Sequence, residues 1–264
     1  VIADPALEQL RTVDPEHYLL HDDVAGEGWR PVADLACDDA WPAIARAYAA
    51  EIGASSPVVG GSCALQGYAG RVAALSIGRW AVSGRGLRLA ATPLLVRLRA
   101  GRTVGLALEA GHQPGVDGPE TPTAIAADLV THLAPVVAAS RTISRLRPAV
   151  AWGNVAAAVA GAWRRVHDAA PPESRPGVEA AAASCLDAEA WPWDGVPLTW
   201  EVASTPYGAS LTYRRETCCL MRLAEGRDEC GSCDRLTPAE VRRRWATSAL
   251  VRQPPPRLAV TCRG

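Results

Sequence analysis

Four of the chain's eight cysteines fall within sixteen residues near the C-terminus: Cys218-Cys219, then ten residues, then Cys230-Gly231-Ser232-Cys233. Thiolate is the soft ligand that zinc and iron–sulfur clusters select, so four thiolates able to reach one point indicate a metal centre. The Cys230–Cys233 half is a common metal knuckle. Two intervening residues let the chain turn both sulfurs to one metal, and Gly231 permits positive φ. The Ser232 hydroxyl and the local N–H groups can donate to sulfur, which stabilises a reduced cluster and raises its potential. The Cys218-Cys219 half is less usual. In an extended strand the two side chains point to opposite faces, so both can ligate one centre only if the chain turns there. A mononuclear zinc site normally separates paired cysteines by roughly two to four residues. A vicinal pair suits a two-iron cluster better, because its ligands need not converge on one atom. The spacing is neither the plant-type nor the bacterial ferredoxin pattern. It therefore indicates a four-cysteine metal centre, with iron–sulfur favoured over structural zinc. A disulfide framework is disfavoured, since nothing marks the chain as secreted.

The run Arg215-Glu216-Thr217-Cys218-Cys219-Leu220, the ten-residue gap and Cys230-Gly231-Ser232-Cys233 resemble the C-terminal motif of the FhuF-like ferric-siderophore reductase family. In that family Cys-Cys-x10-Cys-x2-Cys holds a 2Fe-2S cluster. The likeness covers roughly the last quarter of the chain, and upstream Trp152-Gly153-Asn154 is similar to a tryptophan-glycine-asparagine segment of some members. The resemblance implies a 2Fe-2S cluster on Cys218, Cys219, Cys230 and Cys233. It implies delivery of one electron to siderophore-bound Fe(III) and release of Fe(II). The donor would be a ferredoxin or a flavin-dependent reductase. Hydroxamate and catecholate oxygens hold hard Fe(III) far better than Fe(II), so one electron frees the metal. Such chemistry needs proximity and a matched potential rather than a general base, and no convincing Ser/His/Asp or Cys/His arrangement is present. Arg214, Arg215, Trp152 and Asn154 are the candidates for contact with the siderophore or the donor. Two other readings are a zinc-stabilised binding module without catalysis and an iron–sulfur sensor of iron or redox state.

Composition narrows the field. Arginine supplies all 27 basic side chains and there is no lysine, which excludes a Walker A loop and a pyridoxal Schiff base. From Ser210 to Gly264 there are 11 arginines against 6 acidic residues, whereas residues 1–209 carry 16 against 22. A basic segment around a cluster would steer an acidic donor protein or an anionic iron complex, or simply form a solvated surface. The overall balance of −1 argues against nucleic acid as a partner. The N-terminal residues show no signal pattern, and the uncharged run 148–163 is too short to span a bilayer. The reading is a soluble cytoplasmic protein, with Cys37, Cys63, Cys185 and Cys262 as small buried thiols.

The positioning elements follow from periodicity. Residues 1–41 read as acidic and irregular, with Asp22, Asp23, Asp38 and Asp39; His17 and His21, four apart, would share a helix face. Helices are expected over 42–52, capped by Asp39 and stopped by Gly53, and over 57–80, where Gly67 and Gly70 would allow close packing. Alternation over 87–108, broken at Ala100-Gly101-Arg102, predicts a β-hairpin. Helices follow over 123–145, kinked at Pro135, and over 148–167, with Asn154 as the odd polar residue. A loop over 169–177 and a short helix over 178–188 come next. The tryptophans Trp191, Trp193 and Trp200 would either wall a pocket or pack the cysteine segment. Strands at 198–203 and 210–213 would lead into the motif. Thr237-Pro238-Ala239-Glu240 is a capping box for a last helix. The expected architecture is α+β: amphipathic helices around a small antiparallel sheet. Residues 1–209 would form the scaffold and siderophore-binding domain, and residues 210–264 the cluster-binding segment docked on it.

Overall fold

Two apolar helices form the centre of the fold, and everything that carries the cysteines leans on them. In the computed structural model, residues 1–3, 19, 22–23, 25–27, 38–39, 110–116, 145, 194–196, 206–207, 252–257 and 261–264 lie outside the described part. Helix α4 (Pro57–Ser83) and helix α6 (Pro148–Ala169) are buried around most of their circumference, as helices with so few polar residues must be. Their faces are alanine, glycine and valine, which lets other backbones approach. At Gly60 a Cβ would overlap the backbone of Ala45 and Ala49 in helix α3 (Ala40–Glu51), and at Gly78 it would crowd Tyr18 and Leu10. The close packing thus falls at Gly60 and Gly78, not at the expected Gly67 and Gly70; Gly67 faces open space.

The N-terminal region is more regular than its composition predicts. Helix α1 (Pro5–Val13) is capped by the buried Asp4, which accepts from the N–H groups of Ala6 and Leu7 at 3.0 and 3.2 Å. The same carboxylate takes the Arg79 guanidinium at 2.7 Å, so a cap that looks local is also a long-range tie to α4. Helix α2 (Pro15–Tyr18) ends before strand β1 (Leu20–His21), so His17 and His21 do not share a helix face. Of the acids expected there, Asp22, Asp23, Asp38 and Asp39 lie outside the described residues, as do His112 and Cys262.

Strands β3 (Leu94–Arg99) and β4 (Arg102–Leu108) form the expected hairpin. Its two-residue turn places Ala100 and Gly101 at φ 48° and 76°, the paired left-handed conformation that matches strand twist. Strand β2 (Trp29–Pro31) extends it antiparallel, whereas β1 pairs parallel with β4. The four-stranded sheet, ordered β1-β4-β3-β2, is therefore mixed rather than antiparallel. Two-residue β1 shows too little alternation to reveal its direction.

Helix α5 (Pro122–Ser144) runs through Pro135, and helix α7 (Arg175–Leu186) packs beside it. Over residues 122–142, α5 is long and apolar enough to cross a bilayer; Ile125, Leu129 and Leu133 in that stretch are fully buried in the core. Strands β5 (Leu198–Thr205) and β6 (Gly208–Arg215) form a second antiparallel hairpin. The boundary expected at 209/210 falls inside β6, whose Leu211 and Tyr213 belong to the same core as α4 and α6. Helix α8 (Pro238–Val251) starts at the expected capping box: the Thr237 N–H donates to Glu240 Oε2 at 2.8 Å, and the Glu240 N–H to Thr237 Oγ1 at 3.3 Å.

Candidate metal centre

Strand β6 delivers the cysteine motif to the central helices. At its end, the Arg215 N–H donates to Ser232 O at 2.9 Å and ties the strand to the Cys230–Cys233 knuckle. That knuckle is closed by the Cys233 N–H donating to Cys230 O at 3.1 Å. The chain turns directly after the vicinal half, where Leu220 sits at φ 68°. The intervening loop is pinned to the α3–α4 connection, where the Glu225 N–H donates to Gly53 O at 3.0 Å.

Each sulfur of the motif meets a backbone N–H from two residues further along. The Leu220 N–H donates to Cys218 Sγ at 3.3 Å. The N–H groups of Met221, Ser232 and Arg235 face Cys219, Cys230 and Cys233 in the same way. This repeated donation suits thiolates that carry charge to a metal. The sulfurs of Cys219 and Cys230 are 3.8 Å apart. Two thiolates on one tetrahedral centre, with metal–sulfur bonds of about 2.3 Å, sit about 3.8 Å apart. Their shared hydrogen bond draws Cys219 below the ordinary thiol value despite its burial, with help from the Arg215 guanidinium. The same bond and burial push Cys230 up, and burial pushes Cys233 up to about 11. Cys233 packs with Leu236 and Val241, and Cys230 lies against that small cluster. Among the described residues, no three His, Cys, Asp or Glu side chains are gathered into a metal-sized group. The close thiol contact in the motif is the Cys219–Cys230 pair.

Behind this pair lies a buried cation. Arg215 is 0% exposed. Its guanidinium donates to Thr217 O at 3.0 Å, to Gln66 Oε1 at 2.9 Å and to Asn154 Oδ1. The Asn154 amide donates in turn to Ser62 O and Oγ at 3.0 and 2.8 Å, and Ser62 Oγ donates to Cys219 O at 2.8 Å. Every side-chain and carbonyl partner of this guanidinium is neutral. A buried charge without a counter-charge costs several kcal/mol, so the site calls for an anion, which metal-bound thiolates supply. On both counts, the N–H donors and the buried cation, the residues fit an iron–sulfur cluster.

The upstream segment meets the motif here. A Cβ on Gly153 would overlap Thr217 Oγ1, so a glycine lets α6 pass directly against the residue before Cys218. Asn154 holds Arg215, while Trp152 packs into the core. Arg215 and Asn154 are both fully buried and present no surface to a donor protein. Arg214 keeps part of its surface and pairs with Glu216 at 3.4 Å. Sequence reasoning missed Ser62 and Gln66. They are two polar side chains one turn apart in the mostly small and apolar first half of α4, and that spacing was the available signal.

Cys219 and Cys230 also line a cleft of about 430 Å³ with Gly67, Gly70, Ala158 and Trp245. Cys63 lines it too, buried, with its thiol pushed up to about 12 by burial and its Sγ 3.9 Å from Cys219 O. Of the other scattered cysteines, Cys185 is buried as expected and Cys37 is exposed, contrary to expectation. Trp191 stacks on Trp193 with ring centres 4.4 Å apart and donates to Cys185 O; neither lines the cleft. No protein-family model matches the chain and no curated protein matches it, so the family resemblance rests on the motif residues themselves.

Proposed function

We propose that the protein is a ferric-siderophore reductase in which Cys218, Cys219, Cys230 and Cys233 hold a 2Fe-2S cluster. The observation that carries this reading is the position of Cys219 and Cys230 in the wall of a cleft of about 430 Å³, a size suited to a small ligand. A zinc knuckle serving only stability has no need of a cleft at its sulfurs. When bound, the cluster supplies a one-electron relay between a donor protein and the substrate. The chain's own groups do the rest. The N–H groups of Leu220, Met221, Ser232 and Arg235 hold negative charge at the sulfurs, and Arg215 offsets it from behind. The cleft seats the Fe(III) chelate next to the two sulfurs. The substrate gains one electron, and the Fe(II) formed leaves oxygen ligands that no longer hold it. The electron comes from a ferredoxin or a flavin-dependent reductase, and a reducing cytoplasm keeps the thiolates available.

The test is direct. Anaerobically purified protein is assayed for iron, acid-labile sulfide and zinc, then reduced with dithionite and mixed with a ferric siderophore and a coloured Fe(II) trap. The expected result is about two irons and two sulfides per chain, a red-brown colour that bleaches on reduction, and Fe(II) release. One zinc with no sulfide would replace this reading with the zinc-stabilised binding module. A cluster that reduces but passes no electron to any ferric chelate would favour the sensor.

A further inference from the structure

The surroundings of the four sulfurs are not alike. Backbone N–H groups do not tell them apart, since each sulfur meets one. The difference lies in what stands behind them. Cys219 and Cys230 line the cleft, and their sulfurs are 3.8 Å apart, the spacing of two thiolates on one tetrahedral metal. On their side the hydrogen bonds form a chain that can run in only one direction. Arginine only donates, so Arg215 fixes Asn154 Oδ1 as an acceptor. The Asn154 amide nitrogen therefore faces Ser62 and donates to its Oγ at 2.8 Å. The Ser62 hydroxyl, accepting there, donates onward to Cys219 O at 2.8 Å. Arg215, Asn154 and Ser62 are each 0% exposed, so the chain is shielded from solvent. Ser232 Oγ adds a polar contact 3.9 Å from Cys230 Sγ. Cys233 has the opposite company: the Asp234 carboxylate at 3.3 Å, and the apolar side chains of Leu236 and Val241.

We infer that the Arg215–Asn154–Ser62 chain draws the incoming electron to the iron held by Cys219 and Cys230, beside the cleft, and leaves the iron held by Cys218 and Cys233 ferric. This rests on the cluster in the reductase reading above and adds Asn154 and Ser62 to it as positioning residues. One electron reduces one of the two Fe(III) ions to Fe(II) and brings one negative charge with it. That charge is stabilised where donors and a cation face it, and opposed where a carboxylate and apolar walls do. Donors linked in series polarise one another, so Ser62 holds the Cys219 carbonyl more strongly than an isolated hydroxyl would. The vicinal cysteines thus serve different irons, one on the cationic side and one on the side of Asp234. The electron rests where a chelate in the cleft can take it, and its transfer to the chelate's Fe(III) returns the reduced iron to Fe(III).

Proton NMR of the reduced, cluster-loaded protein tests the placement. Cysteine β-protons near Fe(III) and near Fe(II) differ in how their paramagnetic shifts change with temperature, so the four ligands divide into two pairs. Cys233 is recognised by contacts of its β-protons with the methyl groups of Leu236 and Val241. We expect Cys233 in the ferric pair. Ser62→Ala should move the resonances of the ferrous pair and lower the midpoint potential. Asn154→Asp is nearly isosteric and gives Arg215 a counter-charge. It should lower the potential by ~59 mV or more, about tenfold in the one-electron reduction equilibrium. Cys233 in the ferrous pair, four ligands that do not divide, or a potential that either substitution leaves unmoved or raises would each overturn the inference. The wild-type spectrum decides even if both variants fail to load. Sulfide analysis and an Fe(II)-release assay on the same preparation separate the two readings. A cluster reduced on the expected side that passes no electron to a ferric siderophore would sink the reductase and keep the placement. Electron transfer with Cys233 in the ferrous pair would do the reverse, and zinc without sulfide would sink both.

Discussion

Replacing Arg215 by methionine tests whether the fold is built around an anion at the cysteines. The substitution keeps most of the side-chain volume and removes the charge. In the cluster-loaded protein it removes one member of a buried pair of opposite charges, which costs roughly 3–5 kcal/mol. In the apoprotein the account differs. Three acceptors lose their donor, namely Thr217 O, Gln66 Oε1 and Asn154 Oδ1. Each orphaned acceptor costs roughly 1–3 kcal/mol. Against that, a desolvated guanidinium with no counter-charge is relieved, which returns several kcal/mol. The apoprotein should therefore change little, and the loaded protein should lose ~3 kcal/mol relative to it, about 100-fold in cluster retention. Guanidinium chloride unfolding of both forms under anaerobic conditions gives the two numbers. Redox titration gives a third. At an effective dielectric of about 20, one unit charge a few ångströms from the cluster is worth roughly 2–4 kcal/mol, so its loss should lower the midpoint potential by on the order of 100 mV. Arg215→Lys keeps the charge but not the fork, and should recover most of the potential and little of the stability. An equal loss in both forms with an unmoved potential would refute the reasoning and leave Arg215 as a hydrogen-bonding strut.

Other consequences are as open to measurement. Cys230→Ser or Cys233→Ser should abolish the visible chromophore, whereas Cys37→Ser and Cys185→Ser should keep it; loss of colour in either of the latter would reassign the ligands. Gly153→Ala adds a good helix former, yet it should destabilise by ~1–3 kcal/mol because its Cβ overlaps Thr217 Oγ1. Thr217→Ala in the same chain should restore the loss, since that hydroxyl has no hydrogen-bond partner among the described residues; an unrescued double variant would place the strain elsewhere. His132 is pushed down to about 4 by burial, with its ring between Tyr68 OH at 2.6 Å and Leu89 O at 3.1 Å. The unfolded chain binds this proton near pH 6.5 and the folded one does not, so stability should fall by on the order of 3 kcal/mol as pH drops from about 6.5 to 4. Thermal unfolding of His132→Gln across that window should show a flatter profile than wild type.

How legible this was in the sequence depends on the range of the forces involved. The long helices were readable because 3.6-residue periodicity and caps such as Thr237–Glu240 are local. The hairpin at Ala100-Gly101 was readable for the same reason. Helix α1 was not, because its cap residue Asp4 is held by Arg79, a partner 75 residues away. The direction of β1 was invisible, since two residues carry no pattern. At the site, the four cysteines announced themselves by type and spacing. The role of Arg215 did not: an arginine in a basic segment reads as a contact for donor or siderophore, or as solvated surface, and only the docking of Asn154 and Gln66 around it shows it buried. The arginines of the cleft wall were invisible too, because Arg71, Arg102 and Arg164 lie far apart in the chain and are brought together by packing.

The socket for Arg215 has an implication for biogenesis. Ser62, Gln66 and Asn154 leave the ribosome before the strand that fills the socket, with 61 residues separating Asn154, the last of the three, from Arg215. At a synthesis rate of roughly 5–20 residues per second, that interval is about 3–12 s. Through that time α4 and α6 can pair while their polar groups remain wet, waiting for a cation that arrives with the cysteines attached to it. Closing the socket and presenting the thiols are one event, because the same strand end does both. The proposed cluster would therefore be loaded only after β6 and the Cys230–Cys233 knuckle have been made, and a nascent chain stalled before β6 would offer an assembly machinery nothing to load.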